Sequence, residues 1–255
     1  SKLMCLNLDV RYSWEISKAF FDEILLSCCS LQKLVLGEPG HLLDTTLLQR
    51  IFSKNGQTLE TLRFGWSYFG LSHNQPMTLV KLILDHCTKL QELNLECFDL
   101  PHDALSQLVS GLSPEMKKVS LAGNYELTDE HIETLVRRCN NIIALDIGSY
   151  AQGMVYYHYY DNISKLTDNA ITSILNHLFC LTELDITGCP NITLEKVLEL
   201  ESLPKLQVLN YGLRKESISK YLDEMPGLMK KLPHLVINKK VHDNVIFVGD
   251  RIAKI

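Results

Sequence analysis

The stretch "MKKVSLAGNYELTDEHIETLVRRCNN", residues 116–141, contains one complete structural unit. Val119 and Leu121 alternate with polar residues, which predicts a short strand with one buried side. Gly123 predicts a turn, and Thr128 followed by two acidic residues is typical of a helix N-terminus. The helix should bury the residues spaced at i, i+3 and i+4, which are Ile132, Leu135 and Val136.

This unit recurs along the chain. The strand pattern L-x-x-L-x-L, with other large apolar residues allowed, begins at nine positions: Leu3, Leu31, Leu59, Leu90, Met116, Ile142, Leu181, Leu206 and Leu232. Successive starts are 25 to 31 residues apart, except for one interval of 39 residues after Ile142. A unit this short cannot bury its apolar side alone, so the sequence predicts a continuous stack.

The predicted fold class is α/β, a solenoid with short parallel strands on one face and helices on the other. Helices are wider than strands, so the stack should curve into a horseshoe with a concave sheet and convex helices. We expect one array of about nine repeats over residues 1–238, an insertion at 148–165 and a C-terminal tail at 239–255. The tail contains "VIFVG", a strand that could cover the edge of the last repeat.

The units resemble the cysteine-containing class of leucine-rich repeat. The resemblance lies in a cysteine before the strand, the L-x-x-L-x-L pattern, the "LTD" helix start that follows, and the stretch "LTELDITGCPNIT" at 181–193. That class is commonest in the F-box/leucine-rich-repeat substrate receptors of cullin-RING ubiquitin ligases. The resemblance covers nearly the whole chain and implies a protein substrate as ligand. It also implies an F-box upstream for the cullin adaptor, so a chain beginning inside a repeat at Ser1 is expected to be a fragment.

Composition argues against nucleic-acid and membrane binding. The formal charge is −5 and the isoelectric point about 6.0, whereas neutralising phosphates requires a clustered excess of Lys and Arg. No apolar run approaches the roughly 20 residues that span a bilayer.

The eight cysteines are predicted to be reduced and structural, in a cytoplasmic or nuclear protein. No C-x-x-C pair is present, and several cysteines stand a fixed three residues before a strand. The chain also lacks the usual catalytic and phosphate-binding motifs. We therefore expect no enzyme activity, no cofactor and no metal.

The outward strand residues should form the ligand-binding face. They are Lys33, Arg63, Glu92, Asn94, Glu96, Lys118, Ser120, Asp146, Glu183, Asp185, Asn210 and His234. Positive residues lie towards the N-terminal end, whereas Asp146, Glu183 and Asp185 should stand on adjacent strands about 5 Å apart. This arrangement favours a basic segment of a protein as ligand, the alternative being ordinary solvated strand faces.

Aromatic residues cluster just beyond two strands. One cluster includes Trp66 and Tyr68, and the other lies in the long interval, as Tyr156, Tyr157, Tyr159 and Tyr160. Insertions in repeat proteins project from one rim, and tyrosine is enriched at interface hot spots. The insertion is therefore a predicted contact arm, unless it folds back as a local cap.

Taken with the resemblance, these residues predict the substrate-recognition module of an SCF-type ubiquitin ligase whose F-box is absent from this chain. The alternative is a leucine-rich-repeat scaffold or inhibitor unrelated to ubiquitination.

Overall fold

The computed structural model describes residues 3–9, 18–37, 44–64, 75–149, 164–211, 236–241 and 244–248. Strands and helices alternate from β1 to β8. The strands are β1 (Cys5–Asp9), β2 (Lys33–Gly37), β3 (Thr61–Phe64), β4 (Glu92–Leu95), β5 (Lys118–Ser120), β6 (Ala144–Asp146), β7 (Glu183–Asp185), β8 (Val208–Asn210), β9 (Val236–Val241) and β10 (Asn244–Val248). The helices are α1 (Lys18–Ser27), α2 (Thr45–Asn55), α3 (Gln75–His86), α4 (His102–Gly111), α5 (Asp129–Arg138), α6 (Asp168–His177) and α7 (Leu194–Leu198), followed by a 3₁₀ turn at Glu199–Ser202.

The strands form one sheet in sequential order. Strands β1 to β9 pair in parallel, and each overlaps one of the nine predicted strand patterns. Strand β10, which contains most of the predicted "VIFVG" strand, pairs antiparallel with β9. Consecutive helices pack against each other on the other side of the sheet. Each unit thus contacts its sequence neighbours, as predicted for a solenoid.

A ladder of leucines between the sheet and the helices forms the core. In strands β3 to β8 a buried residue aligns with its counterpart in the next strand, which gives the series Leu62, Leu93, Val119, Leu145, Leu184 and Leu209. Ile132, Leu135 and Val136 of α5 are fully buried, as predicted. Burying one such side chain stabilises the fold by about 1.5–3 kcal/mol, so stacking supplies free energy that a single unit lacks.

The predicted turn at Gly123 is present, with a left-handed φ of 71° that suits glycine. Asn124 next to it is almost completely buried. Its amide donates hydrogen bonds to the carbonyl oxygens of Leu95 and Leu121, both at 2.9 Å, and its Oδ1 accepts from the backbone N–H of Leu100 at 3.0 Å. This side chain therefore satisfies backbone groups of two successive repeats in the connection between strand and helix.

A histidine completes the N-terminal cap of α5, where a Glu or Gln is more usual. The Nδ1 atom of His131 accepts a hydrogen bond from the backbone N–H of Thr128 at 3.1 Å. Its Nε2 lies 3.0 Å from the Ser106 hydroxyl and 3.3 Å from the His102 carbonyl oxygen, so the neutral ring carries its proton on Nε2. The ring is 2% exposed and packs on the ring of His102 with 4.6 Å between centroids.

All eight cysteines lie within the described ranges, and each is a free thiol. Cys28, Cys87, Cys139 and Cys189 are buried, as expected for small apolar side chains in tight connections. Burial raises the pKa of Cys87 to about 12 and the pKa of Cys139 and of Cys189 to about 11 each. These thiols are therefore protonated and poorly nucleophilic at neutral pH.

Candidate functional site

The outward side chains of strands β3 to β8 form two rows across the sheet, because alternate strand residues point to the same face. The first row is Thr61, Glu92, Lys118, Ala144, Glu183 and Val208, and the second is Arg63, Asn94, Ser120, Asp146, Asp185 and Asn210. Most of these residues line a shallow groove of about 270 Å³, called here the strand groove. Six predicted binding residues thus share one surface: Glu92, Asn94, Asp146, Glu183, Asp185 and Asn210.

The other predicted binding residues are the aromatic ones, and all of them lie outside the described residues: Trp66, Tyr68, Tyr156, Tyr157, Tyr159 and Tyr160. His234 of the predicted concave face also lies outside the described ranges. Their contribution to binding stays a prediction.

One end of the strand groove is closed by an ion pair between Arg63 and Glu92. Arg63 belongs to the second row and Glu92 to the first row of the next strand, so the pair runs diagonally. The Arg63 side chain is 44% exposed, and an ion pair this accessible to water contributes only about 0–1 kcal/mol. Its main effect is electrostatic: because the Arg63 charge offsets that of Glu92, this carboxylate adds little to the negative potential in the groove.

The second row has a structural function that the sequence reasoning missed. Oδ1 of Asn94, Asp146 and Asp185 accepts a hydrogen bond from the backbone N–H two residues later, at 3.0, 3.2 and 2.9 Å. This is an Asx turn, which bends the chain at the end of the strand. The signal was available in the sequence, since an Asn or Asp recurs at the end of these strands.

The remaining carboxylate oxygens of the second row bind across the sheet. The Ser120 hydroxyl donates to Oδ2 of Asp146 at 3.2 Å, and the Asn210 amide donates to Oδ2 of Asp185 at 3.0 Å. Asp185 is only 5% exposed. These bonds fix the orientation of both carboxylates, so the acidic end of the strand groove is rigid before any ligand arrives.

Within the described ranges, three buried polar atoms that have no hydrogen-bond partner there lie at or just beyond the ends of β6, β7 and β8. They are the hydroxyl oxygens of Ser149 and Thr187 and Oδ1 of Asn210. Leaving such a group unsatisfied costs about 1–3 kcal/mol. In the sequence, Ser149 directly precedes residues 150–163, which lie outside the described ranges.

A larger hollow of about 490 Å³ lies far from the strand groove, between α1 and α2. It is lined by Leu26, Gln49, Arg50, Ser53 and Lys54, and the Lys54 ammonium donates to the Leu26 carbonyl oxygen. We favour the strand groove as the functional site because six consecutive repeats contribute aligned polar side chains to it, whereas two helices form the hollow.

The described part of the chain contains neither a metal-binding cluster nor a membrane-spanning helix. Within it, no three His, Cys, Asp or Glu side chains are grouped so that they could hold a metal ion. Nor is any of its helices long and apolar enough to cross a membrane.

No protein-family model and no curated protein sequence matches this chain. Among solved structures, it is similar to the leucine-rich repeat-containing protein LegL7 from Legionella pneumophila, with a TM-score of 0.52 and 16% identity over 96% of this chain and 85% of that one. The fold is a leucine-rich-repeat solenoid. A chain in the structure of the yeast Rad7 and Elc1 complex is also similar, with a TM-score of 0.53 and 17% identity. The match covers 92% of this chain but only 62% of that one. Identities this low establish the fold alone, and the predicted horseshoe is confirmed.

Proposed function

We propose that this leucine-rich-repeat solenoid is the substrate-recognition module of an SCF-type, cullin-RING ubiquitin ligase. The strand groove binds a protein substrate, and an F-box expected upstream of Ser1 binds the cullin adaptor. The module has no catalytic step of its own, because it holds the substrate where the ligase can modify its lysines. The free, buried thiols support a cytoplasmic or nuclear location.

The observation that carries this proposal is the rigid, polar strand groove on a fold made of cysteine-containing repeats. Groups fixed in advance bind a partner with little loss of conformational entropy. The leucine pattern of the last repeats, residues 203–238, resembles the end of the repeat array in the S-phase kinase-associated F-box protein. In addition, a similar fold occurs in a complex of two proteins, Rad7 and Elc1.

The contact surface extends beyond the groove in this proposal. The insertion at 148–165 supplies a tyrosine arm, and Trp66 and Tyr68 supply a second aromatic contact on the same rim. Tyrosine and tryptophan give large contact areas for few rotatable bonds. The array at 1–238 carries these contacts, and the tail at 239–255 closes its last repeat.

The proposal is tested by purifying the full-length protein from its own cells and quantifying associated proteins by mass spectrometry. We expect a cullin and its adaptor in stoichiometric amounts, together with substoichiometric substrates. An Ala144→Trp variant, which fills the strand groove, should keep cullin and adaptor but lose substrates. Absence of both ligase subunits, with another protein in stoichiometric amount, would contradict the ubiquitin link and favour a scaffold or inhibitor.

A further inference from the structure

Three residues in the middle of the strand groove lie side by side on adjacent strands. Lys118 of β5 aligns with Ala144 of β6, and Ala144 aligns with Glu183 of β7. Neighbouring strands are about 4.8 Å apart, so the backbones of Lys118 and Glu183 are separated by about 10 Å. Ala144 has only a methyl group, which leaves a notch between two long charged side chains.

The charges beside this notch differ from the other charges of the groove. Within the described part of the chain, neither the Lys118 ammonium nor the Glu183 carboxylate makes a hydrogen bond or ion pair. Arg63, in contrast, is paired with Glu92. Both Lys118 and Glu183 are exposed on the groove surface. Their charges are therefore available to a ligand.

The two ends of the notch have electrostatic potentials of opposite sign. Near Glu183 lie two carboxylates of the second row, Asp185 on the same strand and Asp146 on the adjacent one. This end of the notch therefore attracts a cation. At the other end, Lys118 aligns with Glu92, whose charge is engaged by Arg63. An anion is attracted there by Lys118. The notch therefore complements a ligand with one charge of each sign.

We propose that the notch binds an extended segment of a protein partner that carries an acidic and a basic residue two positions apart. The acidic side chain pairs with Lys118, the basic one with Glu183, and the backbone between them passes over Ala144. This inference rests on the proposed protein-binding function and narrows its ligand from a basic segment to a segment with both charges.

The geometry favours this ligand over a small molecule or a helix. The groove volume of about 270 Å³ is below the roughly 300–1,000 Å³ of small-molecule sites. A helix is about 10 Å in diameter and would not enter so shallow a groove. In an extended chain, residues i and i+2 point to the same side about 6.7 Å apart, and the flexible stems of Lys118 and Glu183 can incline inwards to meet them.

Synthetic nonapeptides with a Ser-Gly background test the proposal. One contains Glu-Ser-Arg at its centre, and the other two contain Arg-Ser-Arg or Glu-Ser-Glu. Affinities are measured at low ionic strength by NMR titration of the purified chain. We expect Glu-Ser-Arg to bind about five- to tenfold more tightly than either of the others, as close charge pairs contribute at protein interfaces.

Variants locate the binding site. Lys118→Glu should reverse the preference in favour of Arg-Ser-Arg, and Glu183→Lys should reverse it in favour of Glu-Ser-Glu. Ala144→Trp should abolish binding of all three peptides, whereas Ala144→Ser should retain it. Lys33→Glu is the matched control, because Lys33 of β2 aligns with Thr61 of the first row but lies outside the groove. Thermal melting of each variant verifies that it is folded.

The proposal is overturned if the wild-type chain prefers Arg-Ser-Arg, if no peptide binds, or if Lys33→Glu changes the preference as much as Lys118→Glu does. None of these results would affect the co-purification of cullin and adaptor. Failure of this inference is therefore distinguishable from failure of the proposed function.

Discussion

Asp129 and Thr167 join two successive repeats across the insertion. Oδ1 of Asp129 accepts a hydrogen bond from the backbone N–H of Thr167 at 2.8 Å, and its Oδ2 accepts from the Thr167 hydroxyl at 2.5 Å. Asp168 and Thr193 make the same two bonds in the next repeat, at 2.7 and 2.9 Å. The first pair is 38 residues apart and the second 25, so the extra chain leaves the joint between repeats unchanged.

Replacing Asp129 with Ala should lower the free energy of unfolding by about 1.5–3 kcal/mol, because two hydrogen bonds to a charged acceptor are lost at a partly buried site. The measurement is urea denaturation followed by circular dichroism. Asp168→Ala is the matched control, and its loss should be smaller since that joint is exposed to water. An equal or larger loss for Asp168→Ala would show that the Asp129–Thr167 bonds stabilise the fold no more than the Asp168–Thr193 bonds do.

Acid should destabilise the fold through His131. Burial, and secondarily the neighbouring His102, lower the pKa of His131 below its ordinary value of 6.5, while the His102 carbonyl, Glu130 and Glu126 oppose the shift. A histidine with a lowered pKa takes up its proton more readily in the unfolded chain. Stability from this residue is therefore complete above about pH 6.5 and is lost as the pH falls towards the pKa of the folded state. Protonation also places a second donor on Nδ1, opposite the Thr128 N–H.

The variant His131→Gln isolates this effect. Glutamine at this position can still accept from the Thr128 N–H, as in an ordinary capping box, but it does not titrate. Unfolding free energies measured at pH 7.5 and pH 5 should differ less in His131→Gln than in the wild type. If both proteins lose the same stability between these pH values, another group causes the acid sensitivity.

The cysteines should differ in reactivity according to burial. Cys5 and Cys29 are exposed, whereas Cys87, Cys139 and Cys189 are buried with raised pKa values. Brief treatment with iodoacetamide at pH 7.5 should alkylate the first two and leave the other three intact until the chain unfolds. Peptide mass spectrometry measures the extent at each site. Alkylation of Cys139 as fast as Cys29 would mean that the helix-to-strand connection opens readily.

Gly188→Ala should be strongly destabilising. Gly188 has a φ of 78°, and a β-carbon there would lie 1.9 Å from the carbonyl oxygen of Ser149. The backbone conformation alone costs about 1–2 kcal/mol for an L-residue, and the contact with backbone adds to that. Gly148→Ala is the comparison, since its β-carbon would come no closer than 3.0 Å to any neighbour. Equal losses in thermal stability for the two variants would contradict this explanation.

Repeat periodicity was sufficient to predict the strands and the order of the sheet. Leu145 and Leu184 occupy equivalent positions in two units, and their parallel alignment follows directly from stacking those units. Thr128 and Thr167 were likewise recognisable as helix starts from the acidic residue that follows each. Local signals of this kind are useful here because they recur: Asp44, Thr128, Thr167 and Thr193 each stand at a helix N-cap.

The chemistry of the strand groove was less accessible from sequence. The face of each strand residue follows from alternation, but whether Glu92 is free depends on Arg63, 29 residues earlier and diagonal to it. In the same way, alternation places Asp146 and Asp185 on the outward face of their strands. The burial of Asp185 and the bonds of both carboxylates to the following backbone depend on the turn geometry. Predicting which side chains pair requires both the register of the strands and the geometry of the turns. The strand pattern in the sequence gives only the register.

Binding of a protein partner to the strand groove can be tested by comparing the partners of two variants of the full-length protein. Ala144→Trp fills the groove, and Gln107→Trp places the same bulk on the exposed face of helix α4. Quantitative mass spectrometry of co-purified proteins should show substrates lost from Ala144→Trp and retained by Gln107→Trp, with both variants melting like the wild type. Loss of the same partners from Gln107→Trp, or their full retention by Ala144→Trp, would show that the partners do not bind through the strand groove.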